Sequence, residues 1–401
     1  MTFLNGLIYE DKIGLIIRII CKKILQIIFC VVRVKHDRVI LYSYDGMQYS
    51  DSPKYITQEL LKTNKGKYEI IWAFNNVEKF EHLRKENIKL VKFKSFKYHW
   101  YLLTAKVIIN NTYIIPSYIP FKKEQYVIDT WHGMPYKKVG LDIVIEVSSI
   151  EQRKMELWTK SLKIMLSNSH FFSEIAHSAF LVPEQSMLKS GWPRNDIFFD
   201  FCKIKKNNLK VRKYFDCSQD EFIVLYAPTF RDDQIDRGYI DVESDVISAL
   251  MEKFHKKVKV LLRGHHLIKN KTFSYHGDEI MADASDYEDM QELLCAADVL
   301  ITDYSSCMWD FSLSYKPCFL LATDLKDYQE KRGLYVNVFD LPFSIALNND
   351  ELIKNILEFN NSDYVSKVKQ YHDTVGCYED GRSAKKIAEI IDEACFGKEI
   401  K

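Results

Sequence analysis

What this chain lacks narrows it first. It has no excess of either charge: 56 Lys and Arg against 55 Asp and Glu leave a formal net charge of +1. Nothing global therefore points to nucleic acid, and any basic patch must be local. The nine cysteines (21, 30, 202, 217, 295, 307, 318, 377 and 395) form no Cys-x-x-Cys pair, and their number is odd. Several sit inside apolar runs, so they read as reduced, buried thiols of a cytosolic protein rather than as a disulfide framework. There is no His-Glu-x-x-His and no EF-hand loop, and Asp232-Asp233 is not a spaced carboxylate pair that would chelate a nucleotide-bound cation, so no metal site is expected. A Gly-x-x-x-x-Gly-Lys-Ser/Thr loop and a Gly-x-Ser-x-Gly elbow are also missing, which removes the P-loop ATPase and serine-hydrolase readings. No internal repeat, low-complexity tract or heptad array interrupts the chain.

No uninterrupted run of about 20 apolar residues is present either, so a spanning helix is not expected. Residues 13–34 are rich in Ile, Leu, Val and Phe, but Arg18, Lys22, Lys23 and Arg33 lie within them. A signal peptide would keep its charges ahead of the apolar stretch and offer a small-residue cleavage site. Arg18, Lys22 and Gln26 instead recur every four residues and draw one polar stripe along a helix. That pattern fits an amphipathic helix lying in a membrane interface, its basic groups toward anionic headgroups on the cytoplasmic side. A helix packed on the rest of the chain or on a partner chain would use the same pattern.

What is present is enough apolar mass, 47% of 401 residues with 13% aromatic, to build two sizeable cores. From Arg38 onward strand-like and helix-like segments alternate. The first half reads as strands at 39–42, 68–74, 89–93, 107–109, 126–129 and 163–166, with helices at 52–63, 77–86, 95–104, 150–161 and 169–179 between them. Gly191-Trp192-Pro193-Arg194-Asn195-Asp196 breaks the pattern, and the lysine-rich stretch 203–210 reads as a linker. A second alternation follows: strands at 222–226, 257–263, near 280, 299–301 and 317–321, with helices at 243–255, 287–296 and 307–315. An apolar-periodic helix at 383–396 closes the chain. The expected fold is α/β, two Rossmann-like domains with a cleft between them. The expected division is 1–36 for the N-terminal helix, 37–202 for one domain, 203–382 for the other, and 383–401 for a C-terminal helix that crosses back.

In open parallel sheets, ligands sit beyond the carboxyl ends of the strands. Asp298 to Asp310 is the most telling such place: a short apolar strand breaks at Thr302-Asp303-Tyr304-Ser305-Ser306, and a helix follows. Backbone N–H groups, a helix dipole and two serine hydroxyls suit an anion there. Asp303 or either serine can also cap the helix or hold the turn. Thr229 and Arg231 follow another strand, and a guanidinium fork suits phosphate oxygens. Arg263 and His265 straddle Gly264 at a third strand end and share a face, whereas His266 points away. His132, followed by Gly133 and Pro135, ends a strand of the first half. An imidazole titrating near pH 6.5 suits a general base, although a histidine can also simply tie down a turn. Lys137 and Lys138 follow and favour an anionic ligand.

These motifs, in their order along residues 38–390, resemble the CDP-glycerol glycerophosphotransferases of teichoic acid and related polyol-phosphate polymer synthesis. The pieces are Asp45-Gly46 with Tyr49-Ser50-Asp51-Ser52-Pro53-Lys54; Thr130 to Gly140, similar to the family's His-Gly-Thr-Pro-x-Lys motif; and Ser167-Asn168-Ser169. After them come Gly191 to Asp196, Ala227 to Arg231, Arg263-Gly264-His265, Thr302 to Ser306, Tyr328 with Arg332-Gly333-Leu334-Tyr335, and Asp380 to Ser383. Met134 stands where the family's motif usually has Thr, and His266 where Pro is frequent. The resemblance implies a GT-B-like fold with the donor nucleotide on the second domain and the acceptor on the first. It implies transfer of a polyol phosphate from a CDP-polyol to a hydroxyl of a lipid-linked or polymeric acceptor, releasing CMP. The CDP-polyol is then a substrate, and no cofactor is required. His132 and His265 become the catalytic pair. Arg231, Thr229, Arg263, Thr302, Asp303, Ser305 and Ser306 become the donor-phosphate group, with Gly133, Lys137, Lys138 and Arg332 in acceptor or secondary roles. The expected place is the cytoplasmic face of the cell membrane, held peripherally. Ribitol phosphate transfer, a nucleotide-sugar glycosyltransferase and a non-catalytic nucleotide-binding scaffold remain open on these residues.

Overall fold

The computed structural model describes residues 32–63, 66–112, 119–143, 149–229, 244–264 and 280–397, with scattered positions between 16 and 27. The chain forms two compact units. One comprises Met1–His132, Gly140–Asp196 and Cys377–Lys401; the other comprises Gly133–Val139 and Ile197–Gly376.

The first unit is built on seven strands: β1 (Lys35–Leu41), β2 (Glu69–Phe74), β3 (Lys89–Lys92), β4 (Ala105–Asn110), β5 (Tyr126–Asp129), β6 (Ile164–Ser167) and β7 (Met187–Lys189). Every pairing is parallel, in the order β3-β2-β1-β4-β5-β6-β7. A parallel sheet covered on both faces wants continuous apolar strands rather than alternating ones. Val39, Ile40 and Leu41 of β1 and Val107, Ile108 and Ile109 of β4 are fully buried. The C-terminal helix Ser383–Phe396 belongs to this unit and packs on the helix Asp51–Thr63, β1 and β4. Both oxygens of Asp196 accept from the first backbone N–H groups of that helix, Ser383 at 3.0 Å and Ala384 at 2.7 Å, which satisfies donors the helix cannot.

The second unit repeats the plan with β8 (Phe222–Ala227), β9 (Val258–Leu262), β10 (Met281–Asp283), β11 (Val299–Thr302), β12 (Cys318–Leu321) and β13 (Ser344–Ala346). These are again all parallel, in the order β10-β9-β8-β11-β12-β13. Its core includes Val224, Val260, Leu262, Val299, Ile301 and Phe319. In both sheets the strand order reverses beside the first strand of the unit, between β1 and β4 and between β8 and β11. Those are the topological switch points at which α/β sheets receive ligands.

Several sequence expectations change. The lysine-rich stretch read as a linker is part of a helix, Phe201–Tyr214. Asp200 starts it by accepting from Lys203 N, Lys is a good helix former, and Val211 and Arg212 are its buried residues. The segment 78–86 winds as 3₁₀ turns rather than an α-helix. The helix after Ser306 ends at Ser312, three residues early, and turns at Ser314 and Tyr315 complete it. Strands β7 and β13 and the helices Leu325–Arg332, Asn349–Leu357 and Asn361–Val375 were not anticipated. The N-terminal amphipathic helix falls largely outside the described residues, Arg18 and Lys22 included. Ile16, Ile19, Ile20, Ile24 and Ile27 are helical and exposed. Among the described residues no helix is long and apolar enough to cross a membrane. The described cysteines are all free thiols, most of them buried.

Candidate active site

His132 stands at the switch point of the first sheet. Its backbone is set by the residue before it. Trp131 has φ +53°, in the left-handed region that a bulky residue seldom enters. Two anchors hold it there. Its N–H donates to Asp129 Oδ1 at 2.8 Å, and its buried ring packs on Phe180 with centroids 4.5 Å apart. The imidazole that follows lies with Nδ1 2.7 Å from the carbonyl oxygen of Asn111, just beyond the end of β4. A carbonyl only accepts, so Nδ1 carries the proton. In the neutral ring the basic lone pair is then on Nε2.

A polar network surrounds this ring. Asn111 is fully buried, and its side-chain oxygen accepts from Tyr44 N at 2.8 Å. Tyr44 follows β1, its ring 6.0 Å from the imidazole, and its hydroxyl donates to Asp51 Oδ2 at 2.6 Å. Asp51 pairs with Arg194 at 3.2 Å, both side chains almost fully buried. Burial alone would raise the Asp51 carboxyl, but Arg194, the Tyr44 hydroxyl, Ser52 N–H and the nearby His132 together hold it below the usual carboxylate range. Asp129 goes the other way. Burial, with Asp51 adding to it against the Trp131 hydrogen bond, pushes its carboxyl up to about 7. Its Oδ2 has no hydrogen-bond partner. Two carboxyls in one environment are thus shifted in opposite directions.

The second switch point holds the strand, turn and helix of residues 299–312. Asp303 is its knot: its carboxylate accepts from Thr229 N at 2.9 and 3.0 Å, from the Thr229 hydroxyl and from Tyr304 N. It therefore joins the ends of β8 and β11, and Ser306 caps the helix without a side-chain bond. Thr302 is fully buried and donates to the Ala227 carbonyl at 2.7 Å, so its hydroxyl is committed to the sheet. Arg263 Nη1 donates to the carbonyls of Tyr287 and Ala284, which binds it to the loop after β10. Ser305 and Ser306 are partly exposed.

The segment Gly133–Val139 docks on this second unit. Tyr335 N donates to Tyr136 O at 3.0 Å, Lys138 N to Gly333 O at 3.1 Å, and Lys137 bridges antiparallel to Leu334. Gly133 is packed so closely on Ser306 that a Cβ added to it would stand 2.5 Å from Ser306 Oγ. Arg231, His265 and His266 lie outside the described residues, and of Arg332 only the helical backbone is described. Among the described residues no group of three or more His, Cys, Asp or Glu could hold a metal ion.

The structure thus gathers His132 with Tyr44, Asp51, Asn111 and Arg194, none of which sequence reasoning had singled out as site residues. Asp51 and Arg194 stand in motifs quoted for the family resemblance, and that was the available signal. Their pairing across 143 positions was not.

Two doubly wound parallel sheets with polar turns at both switch points define a class: α/β proteins that take their ligands beyond the carboxyl ends of the strands. The comparisons with known proteins narrow it. The family model of CDP-Glycerol:Poly(glycerophosphate) glycerophosphotransferase matches residues 24–393, and the chain belongs to that family. A teichoic acid poly(glycerol phosphate) polymerase of Staphylococcus epidermidis is 30% identical over 89% of this chain, which spans about half (51%) of that relative's length. A polymerase of the same description from Bacillus spizizenii is 28% identical over 95% of this chain and 99% of its own. The solved wall teichoic acid polymerase TagF is 28% identical with a TM-score of 0.81, covering 94% of each chain. It has also been solved as a histidine-to-asparagine variant soaked with CDPG.

Proposed function

We propose that this chain transfers glycerol phosphate from CDP-glycerol to a hydroxyl of a lipid-linked or polymeric acceptor, releasing CMP, in the assembly of teichoic acid or a related cell-surface polymer. The observation that carries the chemistry is the His132 imidazole at a switch point, with its Nδ1–H on the Asn111 carbonyl. The family supplies the donor.

The acceptor oxygen attacks the phosphorus bearing glycerol, and that O–P bond forms as the bond to the CMP oxygen breaks. His132 Nε2 takes the acceptor's proton. Negative charge grows on the departing CMP. His265 is assigned to meet it, with Arg231, Ser305 and Ser306, while Thr229, its N–H and hydroxyl both given to Asp303, holds the turn in place. Thr302, Asp303 and Arg263 shape this floor through their backbone bonds. Lys137, Lys138 and Arg332 serve the acceptor or a secondary anion.

Membrane attachment would be peripheral, on the cytoplasmic face, through the basic stripe of residues 1–36. Deleting 1–35 should abolish co-sedimentation with anionic liposomes; unchanged binding removes the anchor.

The deciding assay is incubation with CDP-glycerol, CDP-ribitol and nucleotide sugars beside a lipid-linked acceptor. CMP release from CDP-glycerol is expected. Turnover of CDP-ribitol alone would move the chain toward the ribitol-phosphate polymerases, of which one relative is 25% identical. Release of UDP or GDP would make it a glycosyltransferase.

A further inference from the structure

Tyr44 occupies a conformation that a tyrosine should avoid. It begins a turn in which three consecutive residues have positive φ: Tyr44 at 46°, Asp45 at 55° and Gly46 at 80°. A glycine would take the first position without steric cost, whereas a bulky residue is strained there. The surrounding bonds hold the strain in place. Tyr44 N donates to Asn111 Oδ1, Gly46 N to Ser43 O at 2.9 Å, and Asn75 N to Gly46 O at 2.8 Å. The result is a phenol delivered to two groups at once, with its ring beside the His132 imidazole and its hydroxyl on Asp51.

We propose that Tyr44 is a positioning residue that couples His132 to the buried Asp51–Arg194 pair. This inference rests on the reading of His132 as the base. Asn111 is the frame: its carbonyl fixes the imidazole's Nδ1–H, and its side chain fixes Tyr44. The phenol ring then limits the tilt of the imidazole, and its hydroxyl keeps the Asp51 carboxylate oriented. When His132 takes the acceptor's proton it becomes a cation, and Asp51 is the ionised carboxylate that attracts it. Asp51 itself has φ +59° at the start of its helix, a second strained residue in the same network. The other charged or titratable groups of this neighbourhood are Arg194, which neutralises Asp51, Asp129 at the end of β5, and Asp45 in the turn. Asp45 accepts from Thr112 Oγ1 at 3.2 Å.

Four variants separate the possibilities, each checked for folding by thermal melting and read as kcat and KM against pH with CDP-glycerol and acceptor. Tyr44→Phe keeps the ring and removes the hydroxyl bond. It should lower kcat about tenfold with KM nearly unchanged, because positioning acts on the transition state. Asp51→Asn is close in shape, and asparagine tolerates positive φ. It leaves Arg194 uncompensated, so the acidic limb of kcat should move to lower pH by on the order of half a unit. Asp129→Asn removes the other group that can titrate near neutrality and should leave the limb in place. His132→Gln tests the reading beneath. If it turns over normally, the base assignment falls and this inference with it. If His132→Gln is inactive while folded Tyr44→Phe and Asp51→Asn keep the wild-type kcat and pH profile, the base stands and the positioning role is refuted. Should Asp51→Asn fail to fold, Tyr44→Phe decides through its kcat-to-KM split.

Discussion

Gly133 follows the proposed base in sequence and packs on Ser306, and replacing it with alanine is the most informative small perturbation. The added Cβ would lie 2.5 Å from Ser306 Oγ and 2.9 Å from Ser306 Cβ. Ordinary contact begins at about 3.4 Å, so both atoms overlap by several tenths of an ångström. Ser306 stands at the start of a helix whose next residues, Cys307 to Ser312, are buried, so it cannot retreat freely. The segment Gly133–Val139 would have to lift, straining the Tyr335–Tyr136 and Lys138–Gly333 bonds. Overpacking of this kind costs about 1–3 kcal/mol. In a domain of this size that is a fall in Tm of roughly 2–4 °C for each kcal/mol. Because His132 is the preceding residue, a shift of about 1 Å should also cost on the order of 100-fold in kcat. The assay is a double-mutant cycle of Gly133→Ala with Ser306→Gly, read by melting and by CMP release. Ser306→Gly removes both overlapping atoms, so the pair should recover at least half of the lost stability, a coupling of about 0.5–3 kcal/mol. Strict additivity, or a Gly133→Ala protein as stable and active as wild type, would refute the close approach.

Three further outcomes follow from the site. Asp129 is pushed up to about 7 by burial, above its unfolded value, so the stability it contributes is full below about pH 4 and is lost as pH rises through 7. Asp129→Asn should flatten Tm against pH across that window, and an unchanged slope would contradict the assignment. Arg194→Ala leaves Asp51 buried without its cation and should destabilise the first unit by about 3–5 kcal/mol in urea unfolding; a loss under about 1 kcal/mol would show that the pair is solvated. Thr302→Val removes a sheet-binding hydroxyl and should cost about 1 kcal/mol with KM for CDP-glycerol unchanged, whereas Ser305→Ala/Ser306→Ala should raise that KM. A raised KM in Thr302→Val would return this residue to the donor site.

The alternation of apolar runs with helical patterns made both parallel sheets legible, because strands buried on two faces leave continuous runs such as Val39–Leu41 and Leu300–Ile301. The turns at their ends were legible for the same reason, and they lead to His132 and to Ser305–Ser306. Short edge strands left no such run: β7 and β13 are three residues each and only partly buried. The polar stretch 203–210 misled because lysines on the outer face of a helix look like a linker when the cap at Asp200 goes unread. Side-chain commitments were the least legible. Thr302 and Arg263 have the chemistry of phosphate ligands, and only the fold shows the Thr302 hydroxyl on the Ala227 carbonyl and one Arg263 nitrogen, Nη1, on those of Ala284 and Tyr287. The Asp51–Arg194 pair and the role of Asn111 depend on long-range contacts and on a backbone carbonyl, neither of which residue type encodes.

The proton acceptor is tested most directly by the rate of CMP release from CDP-glycerol with His132 replaced by alanine, in protein shown by melting to be folded. General-base catalysis is worth about 10²–10⁴, so turnover should fall by at least 100-fold while donor binding persists. A folded His132→Ala protein within about threefold of the wild-type rate would contradict the account.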